Sequence, residues 1–163
     1  MAFRFRVEDY PLLDLKLKIT QDLPGANPHK GGSGKDDSAF EVWFALKTPK
    51  NEVKLFGYYW GDTNEEGLLK SGDLIENYYS NKTYAYIVTL PEAWQVFMDG
   101  GPASLQEWHH HKHDLAQDLH RAFPQEASIE EWQVLAITLQ TDSRDVKGRS
   151  EAFFKELNFT PRK

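Results

Sequence analysis

The segment AFEVWFALK, residues 39–47, alternates without a break. Phe40, Val42, Phe44 and Leu46 fall to one side, and Glu41, Trp43, Ala45 and Lys47 to the other. A period of two sends successive side chains to opposite faces of an extended strand. A helix would scatter that apolar set around its circumference, so this stretch reads as a strand with one face on a core. TPKN (48–51) has turn chemistry and EVKLFGYYWG (52–61) is a second strand, which makes 39–61 a hairpin.

Similar signals recur along the chain. Strands are predicted at 3–7, 14–20, 83–90, 93–98, 107–113, 132–141 and 151–159. WQVLAITLQT (132–141) is apolar on both faces, with Val134 and Ala136 one way and Leu135, Ile137 and Leu139 the other, as in a buried central strand. Five Trp, seven Tyr and ten Phe suit strands better than helices.

One helix is predicted. Asp114 with Gln117 three later forms a capping box, Leu115, Leu119 and Phe123 line one face, and Pro124 ends it. Ser128 with Glu131 repeats the signal, but Trp132 opens a strand, so only a helical turn is expected there. Two long polar loops, 21–38 and 62–81, join elements without dividing the chain. The expected fold is all-β: an antiparallel β-sandwich of jelly-roll type with one short α-helix, as a single domain over residues 1–163.

Charge and composition exclude several functions. The net charge is −6 and the basic residues are scattered, so no nucleic-acid partner is expected. The absence of cysteine removes disulfides, thiolate metal sites and a Cys nucleophile. No apolar run is long enough for a membrane helix, so no membrane partner is expected. The start, MAFRFRVEDY, lacks an apolar signal core, which makes the chain cytoplasmic as written. A secreted or periplasmic location follows if a signal peptide has been removed.

EWHHHKHDLAQDLHRAF (107–123) packs four of the chain's six histidines into five positions: His109, His110, His111 and His113. On a strand, His109, His111 and His113 share a face at about 7 Å spacing. Three imidazoles could ligate zinc or copper, but same-face neighbours on one strand lie on a line, whereas zinc needs nitrogens converging on a point. A solvated polar face and an acid–base role are the other readings.

The aromatic residues suggest a ligand. Trp43 points away from its strand's core stripe, and either Tyr58 with Trp60 or Tyr59 lies beside it across the hairpin. A flat ring suits the C–H face of a sugar; the opposing reading is that these rings are core. Asp36 and Asp37 in GKDDS, and Asp142 and Asp145 in TDSRD, supply carboxylates on loops, the chemistry that calcium takes. Turn caps explain them equally. No nucleophile elbow, phosphate loop or dinucleotide fingerprint is present.

The order of GSGKDDSAFEVWFAL, KLFGYYWG, YAYIVTL, EWHHHKHDLAQDLHRAF and VLAITLQTDSRDVKGRSEAFFKELNF resembles a bacterial family, domain of unknown function 3047. The resemblance covers roughly residues 34–159. It picks out Asp36, Asp37, Trp60, Gly61, Trp108, Asp114, Asp118, Arg121, Ala122, Phe123, Thr141, Asp142 and Ser143. This chain departs from the pattern at Arg144-Asp145 and at His109 to His113. The resemblance implies a jelly roll similar to carbohydrate-binding modules and implies no activity.

The expected function is non-catalytic polysaccharide binding, with Trp43, Tyr58, Trp60 and Trp108 as platforms and Asp37 and Asp142 as polar contacts. No catalytic residue, metal ligand or cofactor is assigned; calcium is the one ion that the acidic loops would suit. Two alternatives stand beside it. One is a polysaccharide lyase or hydrolase using His111 or His113 with Tyr58 or Tyr59. The other is a protein-interaction module.

Overall fold

The computed structural model describes residues 4–26, 37–61, 68–70, 93–100, 105–143 and 146–163. The elements are β1 (Phe5–Arg6), β2 (Leu12–Gln21), β3 (Ser38–Lys47), β4 (Val53–Gly61), β5 (Leu68–Lys70), β6 (Ala93–Gly100) and β7 (His109–Asp114). Then come helix α1 (Leu115–Ala122), a 3-10 turn (Ile129–Glu131), β8 (Gln133–Asp142) and β9 (Glu151–Thr160). The strand predicted at 83–90 and much of the two long loops lie outside the described residues.

The strands form two sheets, one of six strands in the order β1-β8-β3-β4-β6-β5 and one of three in the order β7-β2-β9. The alternation along β2 explains how they face each other. Leu13, Leu15, Leu17 and Ile19 are buried while Asp14, Lys16 and Lys18 point outward. Each buried aliphatic side chain contributes roughly 1.5–3 kcal/mol. They meet Phe40, Val42, Phe44 and Leu46 of β3, Phe56, Tyr58 and Trp60 of β4 and Val134 of β8 in one core. Phe44 makes edge contacts with Tyr58 beside it and with Phe159 of the facing sheet, both at 6.0 Å between centroids. The fold is thus all-β and sandwich-like, with one α-helix among the described residues.

The 39–61 hairpin forms as read, with Phe40 opposite Trp60 and Lys47 opposite Val53. Asn51 closes its turn in the left-handed region, φ 64°, which Asn tolerates better than most residues. The Asp114 side chain accepts from the Gln117 N–H at 3.2 Å, capping α1, and the chain leaves the helix at Phe123. Arg162 grips Asp114 with two nitrogens, tying the C-terminal segment to the cap.

Besides the short strand β5, which lies inside the loop read at 62–81 and pairs with β6, two features differ from the sequence reading. First, β8 is not a strand buried on both faces. A bulge between Val134 and Ala136 reverses the alternation, so Val134 shares the inner face with Ile137 and Leu139, while Ala136, Thr138 and Gln140 are exposed. A bulge's extra residue shifts every later side chain by one face. Second, β4 and β6 pair in parallel, Leu55 opposite Ala93 and Tyr58 opposite Val96. Among the described residues the other ladders are antiparallel. Among the described residues no helix is long and apolar enough to cross a membrane.

Candidate functional site

Trp43 lies on the outer face of the larger sheet, opposite Gly57 of β4. The missing side chain at Gly57 is what seats it. A Cβ there would stand 2.7 Å from the Val42 carbonyl oxygen and 3.0 Å from both Cδ2 and Cε3 of the indole. Trp43 Nε1 donates to Glu41 Oε2 at 2.6 Å, and Gln140 Nε2 of β8 donates to the same oxygen at 2.6 Å. Glu41 is itself buried. Three adjacent strands therefore fix one indole that stays only partly buried. Tyr59 sits diagonally across the hairpin from it on the same face and is buried.

Tyr58 and Trp60 point the other way. Both are fully buried between the sheets, so they share no platform with Trp43. The β2–β7 register places His113, His111 and His109 opposite Leu13, Leu15 and Leu17, which turns the odd-numbered histidines inward. Their rings stack in a row, 6.1 Å between His109 and His111 and 6.3 Å between His111 and His113. Parallel rings at that spacing do not bring three nitrogens to one point. Among the described residues no group of three or more His, Asp or Glu is placed to hold a metal ion. His110 faces outward and pairs with Asp14.

The row ends in a polar knot. The His113 ring stacks on Tyr58 at 4.2 Å. The Tyr58 hydroxyl donates to Asp118 Oδ2 at 3.0 Å, His113 Nδ1 lies 3.7 Å from the same oxygen, and Arg121 donates to Oδ1 at 3.2 Å. Burial pushes the Tyr58 hydroxyl well above its ordinary pKa, and the Asp118 charge adds to that. Burial would also raise Asp118. The nearby His113 ring, the hydrogen bond from Tyr58 and the Arg121 charge outweigh it and hold the carboxyl below its ordinary value. At neutral pH the knot is a protonated phenol on an ionised carboxylate.

The other expected site residues lie elsewhere. Trp108 is 43% exposed at the start of β7, beside the outer face of the smaller sheet. Asp37 is buried and accepts from the Val146 N–H at 2.7 Å, a structural tie to the β8–β9 connection. Asp142 ends β8 opposite Ser38, so the two aspartates come to the same end of the β3–β8 ladder. Asp36 and Asp145 lie outside the described residues. Sequence reasoning missed Gly57, Glu41 and Gln140 as the seat of Trp43. The cue for Glu41 was its place two residues from Trp43 on the same strand face; Gly57 and Gln140 need the register of three strands.

Two facing sheets and, among the described residues, a single capped α-helix make this an all-β, sandwich-like protein. More narrowly, the model of the family described as protein of unknown function (DUF3047) matches residues 1–158, and the chain belongs to that family. No curated protein and no solved structure matches the chain.

Proposed function

We propose that this protein is a non-catalytic module that binds a polysaccharide on the outer face of its larger sheet, with Trp43 as the platform. The observation that carries the reading is the seat itself. An indole laid across a glycine and pinned through its N–H offers a ring that has little rotamer freedom left to lose on binding. Sugar C–H groups pack on such a ring, and the exposed Thr138 and Gln140 of β8 supply polar groups on the same face. Tyr58 and Trp60 belong to the core and shape the sheet beneath. No metal is required. Affinity electrophoresis against a panel of soluble polysaccharides, with and without EDTA, tests it. At least one polymer should retard the wild type regardless of EDTA, Trp43→Ala should migrate freely, and Trp43→Phe should retain partial retardation. Retardation by a neutral polymer that survives Trp43→Ala would remove the proposal.

A second reading rests on the Tyr58–Asp118–His113 knot. A His and a Tyr hydroxyl converge there on one carboxylate, as acid–base cleavage of a glycan requires. In this reading Tyr58 would be the proton donor and His113 the base, and the fully buried Tyr58 would need the sheets to part for a glycan to reach it. Shortened polymer in the same lanes, lost in His113→Ala, would favour this enzyme over the module.

A further inference from the structure

The outer face of the smaller sheet carries a second feature, separate from the Trp43 seat and from the interior knot. The turn before β7 is fastened to β2 by the Gln106 N–H, which donates to the Ile19 carbonyl at 2.8 Å, and this sets Trp108 over the sheet. A bulge in β9 opposite Lys16 and Leu17 inserts Lys155 as an extra residue. Lys155 Nζ then stands 4.2 Å from the Trp108 ring centroid, and Lys18 Nζ stands 5.3 Å from the same centroid and 5.4 Å from that of Phe153. Trp108 and Phe153 are 43% and 46% exposed. Two ammonium groups thus converge on one exposed indole.

The rest of this face neutralises its cations. Lys16 pairs with Glu156, Lys112 with Asp14, and Arg149 with Glu151. Among the described residues Lys18 and Lys155 have no carboxylate partner, and Glu107 beside Trp108 pairs with neither. Like charges drawn to one ring repel each other, and an anion between them would relieve that repulsion. Because both ammonium groups sit over the indole, its face is occupied, which suits a ligand that presents negative charge ahead of apolar surface. The chain is acidic overall, so this patch stands out against the protein's own field.

We propose that Trp108, Phe153, Lys18 and Lys155 form an anion-recognising face for an acidic polysaccharide, one with a carboxylate on successive sugars. A row of fixed carboxylates meets both ammonium groups at once, whereas a neutral glycan meets neither. The face works independently of the Trp43 platform.

The test uses the full chain with polygalacturonate as probe, hydroxyethylcellulose as the neutral polymer, and vesicles of phosphatidylglycerol with phosphatidylcholine as the other anionic source. Polygalacturonate should bind, and binding should weaken as salt rises. Lys18→Gln/Lys155→Gln should weaken it about tenfold or more, and Lys18→Arg/Lys155→Arg should restore most of it. Polygalacturonate binding that the double Gln variant leaves intact overturns the proposal, as does no binding at all. Vesicle binding that the same variant loses, with polygalacturonate ignored, overturns it too and makes the face a membrane contact. Failure here with neutral polymer still retarded through Trp43 leaves the Trp43 reading standing.

Discussion

Trp43 and Tyr58 sit on strands that pair with one another, and each gives its one polar hydrogen to a carboxylate: Trp43 Nε1 to Glu41 at 2.6 Å, and the Tyr58 hydroxyl to Asp118 at 3.0 Å. The device is the same and the setting differs. Trp43 faces out and stays partly exposed, and the proposed function makes its pinned ring the ligand platform. Tyr58 faces in, is fully buried and has a histidine ring stacked on it. Its hydrogen bond fastens the end of β7 and helix α1 to the larger sheet. Under the proposed function, a pinned aromatic serves as a binding surface or a core fastener according to which side of the sheet it faces.

The comparison breaks first at Asp118. Asp118→Ala removes the acceptor of a buried hydroxyl and the partner of Arg121, and should cost about 2–4 kcal/mol of folding stability in urea denaturation. Tyr58→Phe, which keeps the ring, should cost about 1 kcal/mol. A loss near zero for both would mean that the inner pair fastens nothing. On the outer face the effect should move from stability to binding. Glu41→Gln weakens the charged grip on the indole and should reduce polymer affinity about three- to tenfold, measured by calorimetry, with little change in the denaturation midpoint.

Acid sharpens the same contrast. The folded Asp118 carboxyl is held below its ordinary value. Its stabilising contribution is therefore fully present above the unfolded pKa of about 4 and is lost as pH falls through the lower folded value. Wild-type stability should drop faster than that of Asp118→Asn below about pH 4, and the two slopes should agree above it. Parallel slopes throughout would contradict the shift. A similarly small effect lies at the helix that carries Asp118. Asp114→Ala, which removes the cap and the Arg162 contact, should cost about 1 kcal/mol by thermal denaturation.

Much of the fold was legible because local chemistry determines it. The alternation in 39–47, the turn at 48–51 and the Asp114 cap each specify an element within ten residues, and all three form. The β8 bulge was not legible. WQVLAITLQT is apolar at enough adjacent positions that either face assignment fits, and the register against β3 decides. The parallel β4–β6 ladder pairs strands separated by β5, a choice that no local pattern encodes. The candidate site was half legible for the same reason. Trp43 could be seen to point away from the core, and Tyr58 and Trp60 could have been excluded from its company by parity along the strand. The glycine beneath the indole required knowing that residue 43 faces residue 57.

The central claim is that Trp43, alone among the aromatic side chains of the hairpin, meets the ligand. Its most direct test is to follow the indole N–H signals of the five tryptophans in 15N-labelled protein as a retarded polysaccharide is added. The Trp43 signal, assigned by its loss in Trp43→Phe, should shift or broaden in proportion to occupancy while those of the buried Trp60 and Trp132 hold still. Saturable binding that moves Trp60 and leaves Trp43 unchanged would contradict the account and place the ligand between the sheets.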